Sequence, residues 1–328
     1  MQRPGMNRLA PGSAALIAGL LLTACGGEGS SPAASPAPPP PSGTALTTAN
    51  YQNALKLSFG AALSAFSNAR IGVVQVDSLD VIPPKLGPTP CPVSGSIASQ
   101  FTDTNLNGLL DKNDSVLMQW DDCDSGQLTL DGLMRVDVND LVPLVDGREI
   151  TLTVTTAGFR VTTSTPRALP ITLNFVLPIR HTRTTTSDRY VLAAATFRSA
   201  AAIGKDGLEM LTVDLLQDYA TNTYRYSLSG SVDSEFLDGK FDFETTEAFT
   251  GVLGEYPSAG RLVATGSGNS RARLSEEGSA LTNPDTILAA VDTNGDGVDD
   301  AVVPELEWST IFPLVVFTSF RDQVVVAP

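Results

Sequence analysis

The chain is 328 residues long and carries 21 lysines and arginines against 36 aspartates and glutamates, a net charge of −15. So acidic a balance repels the phosphates of nucleic acid, excludes it as a partner and favours divalent cations. A single histidine, His181, leaves no H-E-x-x-H zinc site, and neither a G-x-S-x-G nucleophile elbow nor a phosphate-cradling glycine loop occurs.

The first segment carries Arg3 and Arg8, then an apolar run from about Ala14 to Leu22, then Thr23-Ala24-Cys25. Basic, apolar and small residues in that order make a secretory signal, and the run is too short to span a bilayer. Leu22-Thr23-Ala24-Cys25 resembles the lipobox of bacterial lipoproteins, in which the cysteine becomes the lipidated first residue of the mature chain. The resemblance implies that residues 1–24 are a signal peptide and that Cys25 carries the lipid. Gly26 in place of an aspartate implies sorting to the outer membrane. Each buried methylene of an anchor contributes about 0.8 kcal/mol, so several acyl chains hold firmly where one would not. Loss of residues 1–24 takes two arginines with it and moves the net charge to −17, which leaves the lipid, not the protein surface, as the membrane contact.

Residues 25–44 are mostly Gly, Ser, Ala and Pro, ending near Pro36-Ala-Pro-Pro-Pro-Pro-Ser42, and cannot bury a core. They read as a tether of polyproline character, about 3.1 Å per residue. Thr47 or Thr48 then caps a helix over 48–67 whose apolar positions Tyr51, Leu55, Phe59, Ala62, Leu63 and Phe66 recur at steps of three and four. Its polar face, with Gln52, Asn53, Lys56 and Ser64, is not basic. That predicts an amphipathic helix packed on the folded domain, not one lying on a membrane.

After the Pro-rich stretch 82–90 the period changes from 3.6 to 2. Leu128, Leu130, Met134, Val136 and Val138 share one face; so do Ile150, Leu152 and Val154; Ile171 to Ile179; and Tyr224, Tyr226, Leu228 and Val232. Asp146-Gly147, Asp206-Gly207 and Asp238-Gly239 are hairpin dipeptides. The expected product is mainly β: an antiparallel meander of about 12 to 14 strands, which must curl into a half-barrel or fold into a sandwich, with the helix on its concave face. No second linker appears, so residues 45–328 form one domain. The apolar stretch from Pro304 through Trp308 and Ile311 reads as a closing strand or short helix.

Two stretches carry metal-ligating chemistry. Asp103, Asn105, Asn107, Gly108, the Leu109 carbonyl, Asp111 and Asp114 occupy positions 1, 3, 5, 6, 7, 9 and 12 of a calcium loop, where hard oxygens converge on one ion and a glycine makes the sharp turn. The aspartate at position 12 resembles the loops of dockerins more than EF-hands. Val116, Met118 and Trp120 alternate after it, so the loop joins strands instead of helices. A second copy has Asp292, Asn294, Asp296, the Val298 carbonyl and Asp300 at positions 1, 3, 5, 7 and 9, and Val303 at position 12. It resembles thrombospondin-type extracellular repeats, with Asp299, Glu305 or water completing the shell. Asp/Asn/Gly turns that bind nothing are the plainer alternative. Cys91 and Cys123, an even pair in an oxidising compartment, read as a disulfide around the first loop, stabilising by about 3 to 4 kcal/mol.

His181 sits beside Arg180 and Arg183 at a strand end and reads as solvated, and Asp121-Asp122-Cys123-Asp124 reads as a solvated turn. Residues 91–310 resemble in layout a group of proteobacterial lipoproteins without assigned activity, which share the cysteine-bounded hairpin, the loop within it and a late D-x-N-x-D-G followed by tryptophan. The expectation is a non-enzymatic, calcium-stabilised β protein tethered to the outer membrane, which acts as a binding or surface-structural module and whose ligand, protein, glycan or lipid, the sequence leaves open. A carrier of lipid or other apolar ligand and a carbohydrate-active enzyme with paired carboxylates are the alternatives.

Overall fold

A computed structural model describes residues 43–77, 88–126, 128–163, 170–201, 204–276 and 285–311. Cys25, the signal segment, the tether up to residue 42 and the stretch beyond Ile311 lie outside the described residues. One helix, α1 (Tyr51–Asp77), precedes fourteen strands: β1 (Thr89–Pro90), β2 (Ser94–Thr102), β3 (Ser115–Asp124), β4 (Leu128–Leu144), β5 (Gly147–Thr163), β6 (Ile171–Thr184), β7 (Ser187–Ala201), β8 (Gly204–Asp218), β9 (Thr223–Ser234), β10 (Gly239–Val252), β11 (Ala259–Thr265), β12 (Arg271–Ser275), β13 (Thr286–Asp292) and β14 (Ala301–Glu307). Each pairs antiparallel with the next in one meander, and the sheet does not close.

The period-2 pattern decides which side is wet. On β6, Ile171, Leu173, Phe175, Leu177, Ile179 and His181 are buried, while Asn174, Val176 and Arg180 between them are exposed. On β9, Tyr224, Tyr226, Leu228 and Val232 face inward and Thr223, Arg225 and Asp233 outward. The convex face carries threonines, serines and exposed ion pairs such as Arg189–Asp214 at 2.6 Å. A membrane-spanning barrel has the reverse arrangement, apolar outside and polar within. Register shifts in β4–β5, β7–β8 and β9–β10 add local twist that helps the sheet to coil.

The helix fills the coil. Thr47 caps it: its Oγ1 accepts the Ala49 amide at 3.3 Å, and Asn50 Oδ1 reaches back to the Thr47 amide at 2.7 Å, a reciprocal capping box. α1 continues past residue 67 to Asp77 and is buried on nearly every side, Ser64 and Asn68 included. By length and composition it is apolar enough to cross a membrane, and 72% of its most apolar window is buried inside the protein. Small residues at Gly60, Ala61, Ala62, Ala65, Ala69 and Gly72 let the sheet approach from several directions, and α1 touches β5 to β9 and β11 to β13. Phe59 anchors it against Tyr226, Phe249 and Trp308, with ring centroids 5.2 to 6.0 Å apart. Trp308 follows β14 in a single 3-10 turn, and its indole N–H donates to Glu276 at 2.9 Å in the core.

Because successive turns alternate between the two ends of a meander, the β2–β3 loop lies at the end opposite the β13–β14 loop. The helix ends on the β2–β3 side, where Asp77 receives the guanidinium of Arg148 at 2.7 Å and that of Arg183. Arg183 also donates to Asp188 at 3.0 Å, and the Tyr219 hydroxyl donates to Asp188 at 2.9 Å. His181 belongs to this network and is wholly buried, not solvated: the alternation of β6 turns it inward, 3.6 Å from Asp188 and stacked on Tyr190 at 4.4 Å. Asp121–Asp124 is likewise strand and not turn. β3 bulges between Trp120 and Cys123, with Asp122 at φ +44, and Asp121 and Asp122 stay exposed.

Burial pushes the Asp188 carboxyl up, but the His181 ring 3.6 Å away and the hydrogen-bonded, charged guanidinium of Arg183 outweigh it and hold the group at about 2. A depressed carboxyl stabilises the fold above its unfolded value, near 3.9, and that contribution fades as pH falls toward 2. Between pH 5 and pH 2 the chain is therefore expected to lose about 2 kcal/mol more stability than Asp188→Asn does. Denaturant midpoints across that range measure it; parallel pH profiles would show that Asp188 contributes nothing of the kind.

Candidate metal centres

The two loops join adjacent antiparallel strands, β2 to β3 and β13 to β14, and the second is the outermost hairpin of the sheet. The first lies next to the other edge, outside which stands only the two-residue β1. Cys91, directly after β1, is disulfide-bonded to Cys123 on β3, with Cα atoms 5.5 Å apart, so the first hairpin is covalently bracketed.

Within the loops one hydrogen-bond scaffold recurs. The carboxylate at position 1 accepts the amide of position 6: Asp103 from Gly108 at 2.7 Å, Asp292 from Gly297 at 2.8 Å. The side-chain oxygen at position 3 accepts the amide of position 5: Asn105 from Asn107 at 3.0 Å, Asn294 from Asp296 at 2.8 Å. Position 5 accepts from position 7: Asn107 from Leu109 at 2.7 Å, Asp296 from Val298 at 2.8 Å. Position 4 is left-handed in both, Leu106 at φ +59 and Gly295 at +77, and so is position 6, Gly108 at +77 and Gly297 at +86. No atom lies within 4 Å of where a β-carbon would sit at Gly108 or Gly297, so conformation and not space calls for glycine there.

The loops differ in how they close. Asp114, fully buried at position 12, accepts the amides of Thr104 at 2.9 Å and Asp111 at 2.8 Å. Val303 has no such oxygen, and Asp300 at position 9 takes over, accepting the Thr293 amide at 2.8 Å and the Thr293 hydroxyl. Thr104 and Thr293 thus anchor their loops from position 2. The sequence repeats threonine there, a signal that a search for ligands alone passes over. Asp299 is held by Arg273 at 2.6 Å and faces a cation already.

The donor set suits a hard cation. Hydrogen bonds from the Asn105 and Asn107 amides keep Asp111 below the usual carboxylate range, and those from the Thr293 hydroxyl and amide do the same for Asp300. Against the upward push of burial, the amides of Gly297, Gly295, Asn294 and Asp296 lower Asp292. All three are anionic at neutral pH. Asp111 Oδ1 is shielded from solvent and has no hydrogen-bond partner, while Oδ2 accepts both asparagine amides at 2.8 Å. An orphaned carboxylate oxygen of that kind matches the position-9 ligand of a calcium loop. Among the described residues no three His, Cys, Asp or Glu side chains converge tightly enough to form a metal site by themselves. A calcium loop also uses amide and backbone carbonyl oxygens and water; the first loop supplies amides at positions 3 and 5 and the second an amide at position 3, with a backbone carbonyl at position 7 in both.

Between α1 and the sheet, the gap lined by Leu57, Ala61, Phe197, Leu208 and Val232 has about 0 Å³ open to a water molecule. An open hollow of about 420 Å³ lies on β8–β10 by Leu216, Tyr224, Arg225 and Thr250, and Asp218 is the one carboxylate that lines it. Asp218 Oδ1 already accepts the amides of Ala220 and Thr221.

Asp114→Ala strips two amides of a buried acceptor and is expected to cost about 2 to 4 kcal/mol in urea unfolding, whereas exposed Asp300→Ala is expected to cost clearly less. Equal losses would mean that the two loops close alike. No family model, curated protein or solved structure matches the chain, so the functional reading rests on the fold and on these two loops.

Proposed function

We propose that the chain is a calcium-stabilised β lipoprotein, tethered to the outer membrane through lipid on Cys25, that acts as a non-enzymatic binding or surface-structural module. The observation that carries the calcium part is the shared scaffold: two loops far apart in sequence tie positions 1, 3, 5 and 6 with the same hydrogen bonds and are left-handed at the same two positions, 4 and 6. In the first loop Asp103, Asn105, Asn107, the Leu109 carbonyl, Asp111 and Asp114 would hold the ion. In the second Asp292, Asn294, Asp296, the Val298 carbonyl and Asp300 would do so, with water in place of a position-12 side chain.

Calcium there has a structural task. An open sheet exposes unpaired edges, and each loop ties the two strands of a hairpin at or beside one of them. Extracellular calcium modules bind at about 10⁻⁴ to 10⁻³ M, which suits a standing structural ion. The lipid part rests on Leu22–Cys25 and on the proline-rich tether. The closed gap between α1 and the strands at Phe197, Leu208 and Val232 supports a scaffold or a surface-binding module over a carrier with an internal ligand site there.

Isothermal titration of the chain with calcium is expected to give two binding events, one lost in Asp103→Ala and the other in Asp292→Ala. Thermal melts are expected to shift upward from chelator to millimolar calcium. Absence of heat from the unmutated chain would refute the metal reading. Labelling with radioactive palmitate that persists in Cys25→Ser would refute the anchor.

A further inference from the structure

Residues 43–46 enter the curled sheet as a short strap, at the end that carries the second loop. The Thr44 amide donates to the Lys240 carbonyl at 2.8 Å, and its own carbonyl accepts the Ser267 amide at 2.9 Å. Its hydroxyl donates to the Leu237 carbonyl at 2.9 Å. Two residues on, the Leu46 amide donates to Ser270 Oγ at 2.8 Å, and that hydroxyl donates to the Ser267 carbonyl at 2.9 Å. Thr44 and Leu46 are both buried. The strap is therefore stitched on one side to the β9–β10 turn and on the other to the turn Gly266–Ser270 between β11 and β12.

That second turn has another neighbour. A β-carbon placed on Gly295 would lie 2.7 Å from Cβ and 2.9 Å from the carbonyl oxygen of Asn269, so the second loop rests directly on the turn that holds the strap. Gly268 and Asn269 are both left-handed, at φ +68 and +63, the region that glycine and asparagine adopt most readily. The strap in turn sets the first turn of α1, because Asn50 Nδ2 donates to the Ala45 carbonyl at 3.0 Å.

We infer that the turn Ser267–Ser270 is a latch between the β13–β14 loop and the N-terminal strap. Order in the last hairpin keeps the entrance to α1 shut, and loosening that hairpin frees the strap. The coupling is reciprocal, as any equilibrium coupling between two sites must be. On the calcium reading above, an ion in the second loop holds the latch closed, while an ion in the first loop, at the opposite end, leaves it untouched.

Amide hydrogen exchange on the full chain tests this at Thr44, Leu46 and Ser267. Gly295→Ala strains the loop and presses on Asn269, and is expected to speed exchange at all three by about tenfold or more. Gly108→Ala strains the first loop in the same backbone conformation and is expected to leave them unchanged. Equal acceleration in both variants, or none in Gly295→Ala, overturns the latch. Should Gly295→Ala not fold, Ser270→Ala probes the reverse direction: removing the Leu46 acceptor is expected to speed exchange at Gly295 and Gly297, and unchanged rates there overturn the coupling. With calcium added, protection at Thr44 and Leu46 is expected to rise in the unmutated chain and not in Asp292→Ala. Binding heat without that rise sinks the latch and spares the calcium site. No heat sinks the site and leaves the variants to decide the latch.

Discussion

Burial of a helix that is apolar all round organises this protein. A 27-residue helix with Tyr51, Leu55, Phe59, Leu63, Phe66, Val73 and Val76 distributed about its axis has no stable place in water, and a fourteen-stranded sheet with one apolar face has none either. Each supplies what the other lacks. Wrapped around α1, the sheet hides its inner rows without having to close edge to edge, and the residual problem moves to the two edges. There the chain places its loops, its disulfide and the very short β1.

Much of this was legible in the sequence because strand alternation is a local signal. Ile171 to Ile179 and Tyr224 to Val232 carry an inner and an outer face in their spacing alone, and Asp146-Gly147 and Asp238-Gly239 mark hairpin turns, whereas Asp206-Gly207 lies within β8 and is paired on both sides. The helix was legible only in part. Its last two turns, Ile71-Gly72-Val73-Val74-Gln75-Val76, hold β-branched residues and a glycine, which weaken helix propensity, and it is enclosure by strands on several sides that keeps them helical. His181 shows a related limit: flanking arginines suggest water, whereas its parity with Leu177 and Ile179 points inward, where the strand places it.

The loops divide in the same way. Ligand positions follow from spacing, so Asp103 to Asp114 and Asp292 to Asp300 stand out in a bare sequence. How each loop closes does not. That Asp114 caps Thr104 while Asp300 caps Thr293 depends on which carboxylate the strands bring within reach, and that Asp299 is occupied by Arg273 depends on β12 lying beside β13. The strap at Thr44 was invisible for the same reason, since its partners at Lys240 and Ser267 are about two hundred residues away in the chain.

The contacts of α1 with β12 and β13 also constrain the order of assembly. Every strand pairs only with its sequence neighbour, so the meander can grow hairpin by hairpin from local contacts, which are quick to form. The helix is different: it precedes the sheet and is enclosed last, because β11 begins about 180 residues after α1 ends. Until they arrive, part of its apolar surface has no cover. A chain that folds from its N-terminus therefore carries an apolar helix partly uncovered until β11 to β13 have formed, a state open to association with other chains.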